Sequence, residues 1–391
     1  MDSPTNSSHY DVVIVGAGFA GLYMLHRLRS AGFKTQVFEQ ASDVGGTWYW
    51  NRYPGARCDV ESMQYAYSFS PELEQEWGWT ERYATQPEIL RYVNHVADRF
   101  DLRRDIQFNT CVSAAIFSET GSRWMIETNN GGRISATYCV MATGCLSSTN
   151  TPNFEGVESF SGSLYHTGEW PHHEIDFSGQ RVGIIGTGSS AIQSIPLIAE
   201  QAKHLYVFQR TPHYTVPARN QPLQSDPKTQ HSGRQAYGYD EDLTVEEVKA
   251  DYLGLRQRAR KMFAALAFTP NRQSALEMTE MERQREFEKR WKQGGLTFQG
   301  VFSDFAISRE ANEFAAEFVR QKIQQTVKNS VVAKALVPTY TIGCKRLAVD
   351  TDYYKTYNRP NVTLVDVSKS PIERITSAGV HALGREYPLN S

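Results

Sequence analysis

The sequence has no excess of charge of one sign and no long hydrophobic run. It holds 41 Lys and Arg residues against 43 Asp and Glu, which gives a formal net charge of −2 over 391 residues. A basic block is the electrostatic footprint of a nucleic-acid binder, and since none is present we expect no nucleic-acid partner. The longest apolar stretches are as short as strands, and the first eight residues are polar after Met1. We therefore expect no signal peptide, no membrane segment and a cytoplasmic protein.

Cysteine is scarce and scattered. The five cysteines are Cys58, Cys111, Cys139, Cys145 and Cys344, and they form neither a CxxC pair nor a metal-ligand spacing. An odd, dispersed set is typical of a reducing compartment rather than of a disulfide framework. We expect no metal site, and we interpret each cysteine as a small buried hydrophobe rather than a redox thiol.

Two glycine-rich fingerprints stand out in the chain. Gly16-Ala-Gly18-Phe-Ala-Gly21 follows the apolar run 10–15, and Gly186-Thr-Gly188-Ser-Ser-Ala191 follows the run 181–185. A strand, a tight glycine turn and a helix N-terminus that favours an anion form a dinucleotide site. One match could be chance, whereas two in the same context predict two dinucleotides, one per domain. The predicted fold class is α/β, with two Rossmann-like, doubly wound, three-layer domains and a helical insertion in the second.

The residue that ends the second strand after each loop predicts the type of dinucleotide. Glu39 supplies a carboxylate suited to ribose hydroxyls, which predicts FAD at the first loop. Arg210 takes that place after the second loop and suits a 2′-phosphate, which predicts NADPH. A solvated charge at a strand end is the alternative interpretation of Arg210.

Apolar periodicity extends these fingerprints into a domain scheme. Residues 134–144 and 363–367 are predicted strands, and residues 372–381 a hairpin. Helices are predicted over 86–104, 243–268, 275–292 and 309–328, and a polar loop over 219–240. The predicted domains are an FAD-binding domain at 1–145, a linker at 146–177, an NADP-binding domain at 178–214 and 338–391, and a mostly helical insertion at 215–337.

Three further runs carry a resemblance. Phe160-x-Gly162-x-x-x-His166-x-x-x-Trp170-Pro171 lies between the fingerprints, Gly45-Gly-Thr-Trp-Tyr-Trp-Asn-Arg-Tyr-Pro-Gly-Ala-Arg-Cys-Asp-Val-Glu61 follows the first, and Gly343-Cys-Lys-Arg346 comes late in the chain. From about residue 10 to its last residue the chain resembles the Baeyer–Villiger monooxygenases of the phenylacetone, steroid and cyclohexanone type. We expect His166 to maintain the geometry of the linker rather than to act in catalysis.

The resemblance implies a flavin-dependent oxygenation in which NADPH reduces FAD and dioxygen adds to the reduced flavin at C4a. The peroxyflavin then attacks a ketone, which yields an ester or lactone, and secondary metabolism is the expected setting. Arg346 is expected to supply the positive charge that stabilises the anion, and Asp59 to orient it. The expected FAD contacts are Gly16, Gly18, Phe19, Ala20, Gly21, Glu39, Gln40, Thr47, Trp48, Tyr49, Trp50, Asp59, Val60, Tyr65 and Val112. The expected NADP contacts are Arg57, Cys58, Thr187, Gly188, Ser189, Ser190, Ala191, Ile192, Gln193, Arg210, Thr211 and Lys345.

Plainer interpretations of these residues stay open at this point. Lys345 and Arg346 alone would be a solvated pair, Asp59 a turn cap, and residues 47–50 core aromatics. Family members continue through a C-terminal portion that this sequence does not include, so a truncated, inactive or uncoupled FAD/NADPH-binding remnant is one alternative. A heteroatom (S/N) oxygenase is another. Neither the ketone nor the oligomeric state follows from the sequence.

Overall fold

The computed structural model describes residues 9–223, 245–262, 265–266 and 268–391. These residues divide into two compact units. The first comprises the described part of Met1–Arg52, together with Gln86–Thr151 and His166–His172, and the second comprises Tyr53–Thr85, Pro152–Tyr165 and the described part of His173–Ser391. Residues 53–85 thus group with the second unit, although the predicted FAD-binding domain includes them. Most of the loop predicted over 219–240 lies outside the described residues.

Strands and helices alternate along most of the described ranges. The strands are β1 (His9–Val15), β2 (Thr35–Phe38), β3 (Ile106–Gln107), β4 (Val112–Ser118), β5 (Arg123–Thr128), β6 (Arg133–Met141), β7 (Arg181–Ile185), β8 (His204–Gln209), β9 (Thr215–Pro217), β10 (Ala348–Asp350), β11 (Val362–Asp366), β12 (Arg374–Thr376), β13 (Gly379–Ala382) and β14 (Arg385–Pro388). The helices are α1 (Phe19–Ser30), α2 (Thr47–Trp50), α3 (Pro71–Glu76), α4 (Gln86–Arg99), α5 (Ser189–Gln201), α6 (Val245–Ala250), α7 (Tyr252–Ala259), α8 (Glu280–Gln293), α9 (Arg309–Thr326), α10 (Ser330–Leu336) and α11 (Tyr353–Thr356).

The first unit is built on a six-stranded sheet with the order β3-β2-β1-β6-β5-β4. Its strands β3, β2, β1 and β6 run parallel, while β6, β5 and β4 form an antiparallel meander. Val13, Phe38, Ile126 and Ala136 bring both halves of the sheet into one apolar cluster. The parallel order places the carboxyl ends of β1 and β2 side by side, and this edge is where such sheets bind ligands.

The described residues of the second unit form three smaller sheets. Strands β11, β8 and β7 are parallel, β10 and β9 form a parallel pair, and β12, β13 and β14 are antiparallel. Phe208, Val365, Tyr387 and Leu389 join the first and third of these sheets in one core. The antiparallel sheet therefore packs on β8, the strand that carries the predicted NADP arginine at its end.

Several predicted elements differ at their ends. The helix predicted over 86–104 ends at Arg99, because Asp101 has φ 49°, outside the helical region. The helix predicted over 275–292 begins only at Glu280, where Thr279 and Glu282 form a capping box. The predicted strand at 363–367 is β11, and the hairpin predicted at 372–381 is the β12–β13 pair, which β14 extends.

Two further expectations are corrected. The helix predicted over 243–268 lies partly outside the described residues, and its described part is broken at Asp251 between α6 and α7. Cys145 and Cys344 are exposed rather than buried, because both lie in irregular segments beside glycine and not within a strand or helix. None of the helices in the described ranges is long and apolar enough to cross a membrane.

A buried ion pair holds residues 53–85 within the second unit. Arg82 is 1% exposed, and its Nε and one terminal nitrogen donate to Glu61 Oε1 at 2.9 and 2.5 Å. The other terminal nitrogen donates to the carbonyl of Gln293 at 2.8 Å, at the end of α8. All three hydrogen-bonding nitrogens of the guanidinium are therefore occupied within this unit.

We predict that Arg82→Met lowers the free energy of unfolding by about 3–5 kcal/mol, because the buried Glu61 carboxylate loses its cation. Urea denaturation measures the change. Arg104→Met is the matched control, since the 61% exposed Arg104 side chain pairs only with surface carboxylates, and it should cost less than about 1 kcal/mol. Equal losses for the two variants would contradict the assignment.

Candidate functional site

The first glycine loop closes tightly around the end of β1. Gly16 has φ +104°, and a Cβ added to Gly21 would lie 1.9 Å from the carbonyl oxygen of Gly16. A Cβ on Gly46 would lie 2.9 Å from the Cα of Gly18. Glycine is therefore required sterically at these positions, and the loop at Gly45-Gly46 packs directly against the fingerprint.

The N-terminus of α1 has neither a capping side chain nor an acidic side chain in its first turn. Gly18 caps the helix without a side-chain hydrogen bond, and the first turn carries no acidic residue. Phe19 is half-buried and Ala20 is exposed at this end. Helix N-termini present amide N–H groups and a partial positive charge, so this loop fits the pyrophosphate of a dinucleotide such as FAD.

Glu39 follows directly after β2 and is buried beside the same loop. Its Oε2 accepts from the amide of Ala17 at 2.6 Å, and its Oε1 accepts from the amide of Ala41 at 2.8 Å. A carboxylate offers about four acceptor positions, so two remain for ribose hydroxyls. Glu39 thus also holds the glycine loop against the strand end, a second task that the sequence motif does not reveal. Gln40 beside it is exposed.

The aromatic run after Gly45-Gly46 forms the short helix α2. Trp48 is buried, and its carbonyl accepts from the side chain of Gln86 at the start of α4. The rings of Tyr49 and Trp50 lie 4.9 and 6.2 Å from that of His172. Thr47 is exposed at the beginning of this helix. Two other residues have structural contacts: Val112 packs on the sheet core, and His166 Nδ1 accepts from the amide of Gly168 at 3.1 Å.

The second glycine loop, in the second unit, is more open. Gly186 has φ +103°, and a Cβ added to Gly186 or Gly188 would meet nothing within 4 Å. Helix α5 also begins without a side-chain cap or an acidic first turn. The Thr187 hydroxyl donates to the carbonyl of Thr211 at 2.8 Å, which ties the loop to the exposed Arg210. The loop therefore fits an anionic dinucleotide, with a cation beside it.

Helix α5 also contacts the segment that follows Tyr53. Gln193 Oε1 accepts from the Tyr53 hydroxyl at 2.9 Å, and its Nε2 donates to the carbonyl of Arg57 at 3.1 Å. Arg57 in turn pairs with Glu81 at 3.2 Å. Ser189 is exposed and Ser190 and Ala191 are half-buried, whereas Ile192 is in the core. Ile192 is fully buried, and its amide donates to the carbonyl of Gly188 at 2.9 Å within the helix.

Arg346 and Asp59 form a two-point ion pair. Arg346 Nε and a terminal nitrogen donate to the two carboxylate oxygens of Asp59, each at 2.7 Å. The Asp59 side chain is 17% exposed and that of Arg346 66% exposed. Burial raises the pKa of the adjacent Cys58 thiol to about 12, with a further contribution from Asp59. Cys58 is therefore a neutral thiol at neutral pH, and the cation is fixed at the surface of its unit.

The structure brings the predicted residues together in two sets. The first unit holds the first fingerprint, Glu39, Gln40, residues 47–50 and Val112, and the second unit holds all predicted NADP contacts. Asp59, Val60 and Tyr65 were predicted as FAD contacts and belong to the second unit. Val60 and Tyr65 are half-buried there.

Sequence reasoning missed Tyr53, His213 and Tyr340. Their polar atoms bond to Gln193, to the carbonyl of Arg346 and to His213 respectively. The one sequence feature that pointed to any of them was the position of His213, three residues after Arg210. This position indicates a functional contact only once the partners of His213, which are distant in sequence, are known.

A sequence profile described as pyridine nucleotide-disulphide oxidoreductase matches residues 13–248, more than half of the chain. With the two glycine loops, this match defines the class of the protein as a flavin- and NADP-dependent oxidoreductase.

Three relatives narrow the class. A Baeyer-Villiger monooxygenase of Pseudooceanicola batsensis is 42% identical over 393 residues, covering 100% of this chain and 69% of that protein. A phenazine N-monooxygenase, PhzNO1, of Lysobacter antibioticus is 41% identical, and the match covers 96% of this chain and 66% of that protein. A cyclohexanone 1,2-monooxygenase of an Acinetobacter species is 40% identical, at 95% and 65% coverage. The chain belongs to the Baeyer–Villiger monooxygenase family.

Solved structures agree with this assignment. A steroid monooxygenase bound to NADP matches with a TM-score of 0.91 and 50% identity over 98% of this chain and 70% of that one. A complex of OTEMO with FAD and NADP matches with a TM-score of 0.90 and 38% identity, at 98% and 70% coverage. The α/β fold is that of Baeyer–Villiger monooxygenase structures, which have two Rossmann domains and bind FAD and NADP.

We predict that Gly188→Ala weakens NADP⁺ binding at least about tenfold, equivalent to about 1.4 kcal/mol, because its methyl group enters the space beside the helix N-terminus. Stability should change by less than about 1 kcal/mol, because the extended backbone at Gly188 suits any residue. Titration calorimetry and urea denaturation measure the two effects.

Gly186→Ala is the control for backbone strain. Its φ of +103° disfavours a side chain, so this variant should lose stability as well as affinity. Unchanged NADP⁺ affinity in Gly188→Ala would show that the second loop does not bind the dinucleotide.

Proposed function

We propose that the protein is an FAD- and NADPH-dependent Baeyer–Villiger monooxygenase that inserts one oxygen atom of O2 beside a ketone carbonyl. The overall reaction converts a ketone, O2, NADPH and a proton into an ester or lactone, NADP⁺ and water. FAD supplies the redox chemistry that activates dioxygen. The observation that carries the proposal is the two-point pair between Asp59 and Arg346, in a chain that carries both dinucleotide loops.

Arg346 has the properties that oxygen insertion requires of a protein side chain. Negative charge develops on oxygen as the ketone carbonyl is attacked, and a preorganised cation lowers the energy of that charge. A guanidinium remains charged at any working pH, so it stabilises an anion without surrendering a proton. Asp59 fixes the direction of the guanidinium through two parallel hydrogen bonds, and the Arg346 side chain is 66% exposed.

The remaining site residues are proposed for cofactor binding. Gly16, Gly18 and Glu39 would hold the pyrophosphate and ribose of FAD, with residues 47–50 beside the isoalloxazine. Gly188 would hold the pyrophosphate of NADPH, and Arg210 and Lys345 its 2′-phosphate. The support for this assignment is the uncapped helix N-termini and the exposure of both cations.

One relative favours a second candidate function. The phenazine N-monooxygenase is as similar to this chain as the cyclohexanone enzyme is, so oxidation of a ring nitrogen is the alternative chemistry. The two functions differ in product, because one forms an ester or lactone and the other an N-oxide.

We predict that purified protein loaded with FAD consumes NADPH faster when cyclohexanone, the probe ketone, is added. Under ¹⁸O2, mass spectrometry should find one labelled oxygen atom in the lactone. Phenazine is the parallel probe, and a labelled N-oxide with no lactone would favour the second candidate. NADPH consumption that is independent of both probes and releases hydrogen peroxide would contradict both functions and indicate an uncoupled flavoprotein.

We predict that Arg346→Ala lowers lactone formation by roughly two to three orders of magnitude, the usual cost of removing a group that stabilises an oxyanion. FAD content should stay unchanged, because Arg346 is not a proposed FAD ligand. Arg346→Lys is the matched control. It keeps the charge but not the two-point pair, so its activity should lie between those of the wild type and Arg346→Ala. Lactone formation at the wild-type rate in Arg346→Ala would remove Arg346 from the proposed role.

A further inference from the structure

The loop after β8 carries a histidine that the proposed cofactor contacts leave unused. His213 is half-buried, three residues after Arg210. Its Nε2 lies 2.8 Å from the carbonyl oxygen of Arg346, and its Nδ1 lies 3.1 Å from the hydroxyl of Tyr340. Its own carbonyl accepts from the hydroxyl of Tyr354 at 2.8 Å, which holds the backbone of the loop.

The partners of His213 determine its tautomer. A carbonyl oxygen can only accept a hydrogen bond, so Nε2 must carry a proton and donate to the carbonyl of Arg346. The Tyr340 hydroxyl accepts from the amide of Tyr214 at 3.2 Å, which directs its own proton to Nδ1. Every donor in this series therefore has an acceptor when the imidazole is neutral. Burial lowers the pKa of His213, the bond to Arg346 opposes this effect, and Lys345 lowers the pKa further.

Tyr340, the partner of His213, also contacts the neighbouring lysine. The ammonium of Lys345 lies 5.0 Å from the centre of the Tyr340 ring, within the range of a cation–π contact. Tyr340 thus contacts Lys345 with its ring and His213 with its hydroxyl. His213 contacts the main chain of Arg346, while Asp59 contacts its guanidinium. Within the exposed residues 343–346, the amide of Cys344 donates to the carbonyl of Thr341 at 3.1 Å, and the His213 bond adds a main-chain contact at Arg346.

We infer that His213 is a positioning residue for Arg346: its Nε2–H holds the Arg346 carbonyl, and Tyr340 selects the tautomer that allows this bond. The inference rests on the proposed function for the role of Arg346, but the contact itself does not. It also links the NADP arginine to the catalytic arginine, because Arg210 and His213 belong to one loop. The Thr187 hydroxyl bonds to that loop at Thr211.

Two substitutions distinguish the contact made by Nε2 from the contact made by Nδ1. In His213→Gln the side-chain amide is as many bonds from Cα as Nε2 is, so it can still donate to the Arg346 carbonyl. In His213→Asn the side chain reaches only the position of Nδ1 and keeps a partner for Tyr340. Amide hydrogen exchange of the peptide 341–349 in the full chain, without cofactors, measures how firmly the segment is held. Lactone formation relative to hydrogen peroxide release measures the effect on the proposed reaction.

We predict that His213→Asn speeds exchange in residues 341–349 roughly three- to tenfold, the range expected for one lost hydrogen bond, while His213→Gln resembles the wild type. In the loaded enzyme, His213→Asn should lower the ratio of lactone to peroxide by a similar factor, and His213→Gln should restore it. Thermal unfolding of both variants checks that the chain remains folded.

Equal exchange in all three proteins would overturn the inference, and so would equally fast exchange in both variants, since that result would assign the effect to the imidazole ring rather than to Nε2. If exchange follows the prediction but the wild type forms no lactone, the proposed function fails and the positioning contact stands. If lactone forms but exchange is unaffected, the positioning role fails alone.

Discussion

The proposed chemistry depends on one interaction, the pairing of an exposed arginine with a largely buried carboxylate. Asp59 and Arg346 are 287 residues apart in sequence, yet both oxygens of one meet two nitrogens of the other at 2.7 Å. Exposed ion pairs contribute about 0–1 kcal/mol to stability, so this pair matters chiefly for direction. The carboxylate fixes the plane of the guanidinium, whose side chain is 66% exposed. A cation held in this way is prepared for negative charge before any reactant arrives.

That pair belongs to a closed series of contacts within the second unit. The glycine loop before α5 bonds to the loop after β8, which bonds to the segment of Arg346 and so to Asp59. The segment around Asp59 contacts α5, because the side-chain amide of Gln193 in α5 donates to the carbonyl of Arg57. The members of the series, in order, are Thr187, Thr211, His213, Arg346, Asp59, Arg57 and Gln193. A dinucleotide on the glycine loop and a reactant near the guanidinium would therefore act on one connected set of side chains.

Local patterns predicted the elements better than their ends. The strand–glycine–helix units were readable because each glycine answers a constraint within a few residues, as the contact between Gly21 and Gly16 shows. The predicted helix over 275–292 began too early, because apolar spacing continues into a turn that only the Thr279 cap excludes. Asp101 likewise ended α4 early through its backbone angle. The site residues stand as predictions, and Gln193 shows why: its amide already has partners in Tyr53 and Arg57.

The sequence by itself determined the class of chemistry, because glycine spacing, a carboxylate at one strand end and a guanidinium at another are local requirements of two dinucleotides. Only the tertiary structure decided which distant residues serve the arginine. The grouping of residues 53–85 with the second unit, the second task of Glu39 and the bond from His213 to Arg346 all depend on long-range contacts. Hydrogen bonds act over about 3 Å, and separation along the chain says nothing about such distances until the strands have set their order.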